Sequence, residues 1–209
     1  METVLHSFAF AGDGTHPDGA LIEGTDGNFY GMTSAGGSAN TGNGTVFKLT
    51  PAGAETVLYS FAGAPSDGNL PYAVRLLQGS DGNFYGTTEG GGTNNLGIVF
   101  RLTAAGIETV LYSFSGGPND GDSPVGNLIE GSDGSLYGTT AFGGAYGKGS
   151  VFKLTPSGTA TLLYSFSGSR GDGTEPNAGL TLGSDGTVYG TTNSGGINNQ
   201  GTFFNIVPP

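Results

Sequence analysis

The sequence predicts an all-β chain, a β-propeller of four four-stranded blades, and three observations carry that prediction. The first is a repeat. The block Gly-Ser/Thr-Asp-Gly recurs with its Asp at Asp26, Asp81, Asp133 and Asp185, at intervals of 55, 52 and 52 residues. Periods of this length mark repeat architectures, in which each unit is one supersecondary element. The second is composition. Gly makes up 43 of 209 residues, against a usual share of about 7%. Collagen would need Gly at every third position, and disorder would need few aromatics, whereas 13 Phe and 9 Tyr stand at regular places. The third is the phase of the repeat, taken up below.

Each unit offers four short strands, read here in the first copy. Strand A is Leu21-Ile22-Glu23 and strand B runs from Phe29 to Thr33. Strand C covers Thr45 to Thr50, and strand D Glu55 to Phe61. The Asp-Gly pair between A and B is a hairpin signal, because both residues tolerate positive φ. Pro51-Ala52-Gly53-Ala54 is the C–D turn. Strand B opens a Tyr-Gly-x-Thr motif that returns at Tyr85, Tyr137 and Tyr189. A Gly-Gly pair follows it at Gly36, Gly91, Gly143 and Gly195, and strand C centres on Phe47, Phe100, Phe152 and Phe204. Along B and C, apolar residues fall on both faces (Phe29 beside Tyr30, Val46 beside Phe47). That pattern belongs to a strand sandwiched between two sheets. No segment carries a helical period.

The chain opens on a strand-D sequence, Glu2 to Phe8, and closes on strand C, Thr202 to Val207. This offset predicts a ring in which the N-terminal strand pairs with the C-terminal three, since closure removes exposed edges. The alternative is half of an eight-bladed dimeric propeller, each chain lending its strand D to the other. Residues 1–209 then form a single repeat domain. Its units are approximately 9–61, 62–114, 115–166, and 167–209 completed by 1–8.

Charge and residue counts exclude several functions. With 6 Lys+Arg against 17 Asp+Glu, the net charge is −11. Such a chain has no basic footprint for nucleic acid, and an anionic membrane surface repels it. No apolar run reaches the roughly 18 residues of a membrane span, and the N-terminus reads into a strand rather than a signal peptide. Cysteine is absent, which removes disulfides and thiolate chemistry. Two His exclude a His-rich metal site. Of these, His6 stands where the other copies have Tyr59, Tyr112 and Tyr164, and reads as the filler of a strand position. The Gly-rich Glu89-Gly90-Gly91-Gly92 precedes a strand and lacks the Lys-Ser/Thr of a phosphate loop.

The linked string Leu-Tyr-Ser-Phe, Asp-Gly-x-x-Pro, Gly-Ser-Asp-Gly-Asn-x-Tyr-Gly-Thr-Thr, Gly-Gly and Val-Phe-Lys-Leu-Thr resembles the GloVer tandem repeat of bacterial "choice-of-anchor" surface proteins. More loosely, it is similar to NHL-type propellers. The resemblance implies an extracellular, cell-surface setting with a C-terminal anchor, of which nothing follows Pro209 here. It implies no catalytic residues.

In an antiparallel blade, the D→A and B→C connections emerge on one face, and these are the long, variable ones. Binding residues are expected there, on loops held by a rigid scaffold. The D→A loops all carry Asp-Gly-x-x-Pro, which makes Asp13, Asp67, Asp120 and Asp172 candidate oxygen ligands for Ca²⁺. The same residues also read as Asx turns, with Gly supplying positive φ. Copy-specific residues of the face are His16 and Asp18, Tyr72 and Arg75, Asp122, and Glu175 with Arg170 on the D→A loops, and Asn40 and Asn43, Asn94 and Asn95, Tyr146 and Lys148, and Asn198 and Asn199 on the B→C loops. Asn, Tyr and Gly edges suit sugar hydroxyls and ring stacking. Of these positions, Asp13, His16, Asp67, Asp120, Asp122, Asp172, Asn94, Asn95, Tyr146 and Asn198 form the candidate ligand face. The sequence thus points to a non-enzymatic extracellular binding or scaffold module, monomeric or homodimeric. Its expected partner is a glycan or surface polymer, with no nucleic acid and no membrane insertion. The alternatives are a polysaccharide-acting hydrolase or lyase using face carboxylates, and a purely structural assembly repeat.

Overall fold

The computed structural model describes residues 1–9, 12–37, 42–72 and 75–208, so Asn40 lies outside the described residues. The first repeat forms β1 (Gly14–Thr15), β2 (Ile22–Glu23), β3 (Phe29–Thr33), β4 (Ala35–Gly36), β5 (Thr45–Leu49) and β6 (Glu55–Ser60). The second forms β7 (Gly68–Asn69), β8 (Leu77–Gln78), β9 (Phe84–Thr88), β10 (Gly90–Gly91), β11 (Ile98–Leu102) and β12 (Glu108–Ser113). The third has β13 (Gly121–Glu130), β14 (Leu136–Gly143), β15 (Ser150–Leu154) and β16 (Ala160–Ser165). The fourth has β17 (Gly173–Thr174), β18 (Thr181–Leu182), β19 (Val188–Thr192), β20 (Ser194–Gly195) and β21 (Thr202–Ile206). No helix occurs among the described residues.

Three blades are four-stranded antiparallel meanders, in the orders β2-β3-β5-β6, β8-β9-β11-β12 and β13-β14-β15-β16. The D→A and B→C connections pair as two-residue ribbons, β1 with β4, β7 with β10 and β17 with β20. In the third blade this ribbon merges into the long β13 and β14. The two kinds of loop therefore share one face, as the alternation of strand directions requires.

Blades stack through their faces. Tyr30, Met32 and Val46 of the first blade, with Phe61 from its D→A turn, are buried against Leu76, Phe84, Phe100 and Leu102 of the second. Val99 and Phe114 meet Leu128, Phe152 and Leu154 of the third, and Tyr137, Val151 and Phe166 meet Leu180 and Val188 of the fourth. The closing Phe of one blade packs edge-on against the strand-C Phe of the next: Phe61 on Phe100, Phe114 on Phe152 and Phe166 on Phe204, with ring centroids 5.0–5.2 Å apart. The Gly of Tyr-Gly-x-Thr exists for this ring. A Cβ on Gly31, Gly86 or Gly138 would lie 2.6 Å from the Cζ of Phe47, Phe100 or Phe152. A second contact latches the loop face. Leu70, Ser123 and Glu175 adopt φ of 53–54°. Their N–H groups donate to Asn43 O, Leu96 O and Lys148 O of the preceding blade at 3.0 Å.

The fourth blade departs from expectation. It holds three strands, β18-β19-β21, and Glu2–Phe8 is neither a strand nor a partner of β21. The N-terminal segment does sit where a preceding strand D would, with Phe8 against Phe47 at 5.0 Å. Among the described residues no strand pairing joins the N-terminal segment to the fourth blade. Among the described residues, His16 at φ 58° has no inter-blade backbone donation corresponding to those of Leu70, Ser123 and Glu175. Phe203, in the register of the fully buried Val46, Val99 and Val151, is 73% exposed. The fourth blade thus leaves an apolar face uncovered at its trailing end.

Phe114, 1% exposed, joins the second and third blades. Phe114→Ala is expected to lower unfolding free energy by about 3–5 kcal/mol in urea titration, as for other buried Phe truncations. Ile107→Ala, at a 65% exposed turn position, should change it by no more than about 0.5 kcal/mol.

Candidate functional site

The repeated Asp of each D→A loop closes its own loop. Asp67 Oδ2 accepts from Ala62 N at 2.6 Å and Tyr59 OH at 2.8 Å, and Oδ1 accepts from Gly68 N at 2.6 Å. Asp120 binds Ser115 N, Ser115 Oγ and Gly121 N, and Asp172 binds Ser167 N, Ser167 Oγ and Gly173 N. Asp13 accepts from Ala9 N and Gly14 N, with His6 Nε2 in place of the Tyr hydroxyl. Each carboxylate thus satisfies the N–H after the closing Phe and the N–H of its own Gly. Among the described residues, no group of three or more His, Cys, Asp or Glu with converging ligand atoms contains two of the four.

The remaining sequence candidates fall into two kinds. Asn95, at φ 57°, accepts from Gly91 N at 3.0 Å, and Asn94 donates to Phe114 O at 3.2 Å, so both organise their loop. Asp122 accepts from Ser123 Oγ at 2.9 Å. His16 is exposed, with Nδ1 3.1 Å from Thr15 Oγ1. Tyr146 and Asn198 project into solvent.

The same face also holds a cavity of about 310 Å³ that none of those ten residues lines. Tyr72 and Glu89 come from the second blade, Val125, Gly126, Ala141 and Phe142 from the third, and Glu175 and Asn177 from the fourth. The loop latch places these residues. Tyr72 follows the latch residue Leu70 by two positions, Asn177 follows Glu175 by two, and Glu175 is itself a latch residue. Tyr72 and Phe142 are half-exposed aromatics. Glu89 and Glu175 supply two carboxylates, Asn193 donates to Glu175 Oε2 at 3.4 Å, and no basic side chain lines the space among the described residues. Tyr72 and Glu175 stand out as copy-specific in the sequence, whereas Glu89 and Phe142 escape that reading. A signal for Phe142 did exist: the other copies have Ala35, Gly90 and Ser194 at its position.

A wall of aromatic edges and carboxyl groups at one end of stacked four-stranded blades defines a propeller-type repeat domain with a loop-face cleft. The chain belongs to the Gloeobacter/Verrucomicrobia repeat family, whose model matches residues 40–209. Among solved structures it is similar to a streptogramin B lyase, with a TM-score of 0.52 and 19% identity over 93% of this chain and 57% of that one. A candidate gluconolactonase matches with a TM-score of 0.50 and 13% identity, over 91% and 63% of the two chains. A virginiamycin B lyase from Staphylococcus aureus matches with a TM-score of 0.48 and 17% identity, over 91% and 56%. The chain spans less than two thirds of the length of each. No curated protein sequence matches it.

One carboxyl beside the repeated Asp carries a testable charge. Burial, and secondarily the charge of Asp67, push Glu108 up to about 7, and its Oε1 is buried without a hydrogen-bond partner. A carboxyl raised on folding binds more protons folded than unfolded between its ordinary value near 4.5 and about 7. Its contribution to stability is therefore complete below that window and is lost as pH rises through it. Melting temperature measured from pH 4.5 to pH 8 should show this decline, and Glu108→Gln should flatten it. An unchanged slope in the variant would assign the decline to other groups.

Proposed function

We propose that the domain is a non-enzymatic binding module for saccharide at a bacterial cell surface, and that the cleft between the second, third and fourth blades takes the sugar. The observation that supports this reading is the pairing of two half-exposed aromatics, Tyr72 and Phe142, with Glu89, Glu175 and Asn177 around one cavity of about 310 Å³. An aromatic face packs against the C–H side of a sugar ring, while carboxyl and amide oxygens accept from its hydroxyls. Two acids without a base, on a chain of net charge −11, favour neutral or amino-bearing sugars over acidic ones. A glycan array followed by calorimetry tests the reading. Neutral or amino sugars should bind, and Tyr72→Ala or Phe142→Ala should each weaken binding about tenfold, or ~1.4 kcal/mol. Absence of binding across the array would overturn the proposal. Cleavage of a bound oligosaccharide would replace it with the hydrolase or lyase alternative.

A second reading, assembly, is supported by the uncovered face of the fourth blade. The trailing face of the fourth blade carries Tyr189 stacked on the exposed Phe203 at 5.8 Å, where the internal junctions bury Val46, Val99 or Val151. The leading face of the first blade carries Phe8, Leu21, Phe47 and Leu49 around a shallow groove. These two faces are the two halves of the internal blade junction, so one copy's trailing face fits a second copy's leading face. The Glu2–Phe8 segment, whose sequence is that of strand D, would then lie beside the unpaired edge of β21. Such head-to-tail contacts close a ring when two copies of four blades meet. Light scattering should give twice the 20.8 kDa chain mass. Phe203→Glu should return the single-chain mass. A wild-type single-chain mass at micromolar concentration would rule the assembly out.

A further inference from the structure

The first repeat differs from the others at one buried junction. In the second copy Tyr59 OH donates to Asp67 Oδ2, and Glu108 lies beside them. In the third and fourth copies Tyr112 and Tyr164 stand beside Asp120 and Asp172, and Ala160 stands at the Glu108 position of the third. In the first copy the Tyr is His6. Its Nε2 lies 3.1 Å from Asp13 Oδ2, and Glu55 of β6 completes a group whose ligand atoms all lie within 4.8 Å of one another. Glu55 Oε1 is shut off from solvent and has no hydrogen-bond partner among the described residues.

We propose that His6, Asp13 and Glu55 form a binding site for a divalent transition-metal ion of the zinc type. Three observations lead there. A phenol hydroxyl is a poor ligand, whereas a neutral imidazole is the commonest one, and only this copy has it. Two ligands at about 2.0–2.1 Å from a tetrahedral ion stand roughly 3.3 Å apart, close to the spacing His6 Nε2 and Asp13 Oδ2 already have. An ion there would also give the orphaned Glu55 oxygen the partner that burial denies it. One nitrogen and two carboxylates leave a fourth position for water and suit Zn²⁺ better than Ca²⁺, which prefers oxygen throughout.

In the metal-free state His6 donates its Nε2 proton to Asp13. With the ion bound, the imidazole takes the other tautomer, its proton on Nδ1, and Nε2 becomes the ligand. Asp13 keeps its bonds from Ala9 N and Gly14 N, which fix its orientation as a neighbouring shell does for metal ligands. Burial, then the charge of Asp13, raise Glu55, and a cation between them would reverse that. The three ligands come from the N-terminal segment, the first D→A loop and β6, so the ion would staple the segment to the first blade.

Titration of the whole chain with ZnCl₂ by calorimetry, alongside thermal melts, tests the site. The wild type should take up one ion and melt higher with it. His6→Tyr restores the pairing of the other copies, so the fold is kept, and it should bind at least about tenfold more weakly, as should Glu55→Gln. His16→Ala should bind like the wild type. Tyr59→His places the same trio beside Asp67 and Glu108, and should raise the stoichiometry to two. No binding by the wild type, or undiminished binding by His6→Tyr, would sink the proposal. So would loss on His16→Ala alone, tighter uptake of CaCl₂ than of ZnCl₂, or a folded Tyr59→His that still takes one ion.

Discussion

The fold depends on one contact, the edge-on packing of each closing Phe onto the strand-C Phe of the next blade. It is made four times, by Phe8, Phe61, Phe114 and Phe166. Much else in the repeat follows from it. The receiving ring lies over strand B, so strand B must carry Gly at Gly31, Gly86, Gly138 and Gly190. The donating Phe ends its strand, so the chain must turn at once, and the Asp that follows caps the freed N–H. A blade buried on both faces cannot satisfy its apolar surface alone, and its stability comes from its neighbours.

That dependence explains what was legible in the sequence. In the first repeat strands B, C and D were readable to within a residue, because Tyr-Gly-x-Thr and Leu-Tyr-Ser-Phe encode contacts inside one blade or with the next, whereas the strand-D sequence at Glu2 to Phe8 forms no strand. Strand A was readable only as a short apolar segment, and it pairs over just two residues in the first, second and fourth blades. Ring closure was not legible. It depends on the angle between blades, which no motif in the repeat encodes. A spare strand D at one end and a missing one at the other do not fix how many steps complete a turn.

The site was less legible than the fold, for a related reason. Residues that repeat were conspicuous and proved to be loop-closing: Asp67 is 5% exposed, with three donors around it. The cleft arises where three loops from three blades meet, so its lining is scattered from Tyr72 to Asn177 with no spacing to betray it. Glu55 and His6 are separated the same way. His6 looked like a filler of a Tyr position, and it does fill one. Its neighbour across the junction, a carboxylate with a buried unpaired oxygen, could be seen only in three dimensions.

Repetition and divergence therefore divide the labour in this chain. A position held in all four copies must satisfy the same junction four times, which leaves it little freedom to recognise anything else. A position that differs has been released from that duty, and it sits on a scaffold rigid enough to hold it in place. Phe142 is free to be large because its counterparts Ala35, Gly90 and Ser194 show that the junction needs nothing there. His6 is a stricter case: it still bonds the repeated Asp, so the junction is kept while the chemistry at its surface changes. The trailing face follows the same logic in reverse. Phe203 and Tyr189 retain junction character with no blade against them among the described residues, and leaving such apolar surface in water carries a cost that burial would remove.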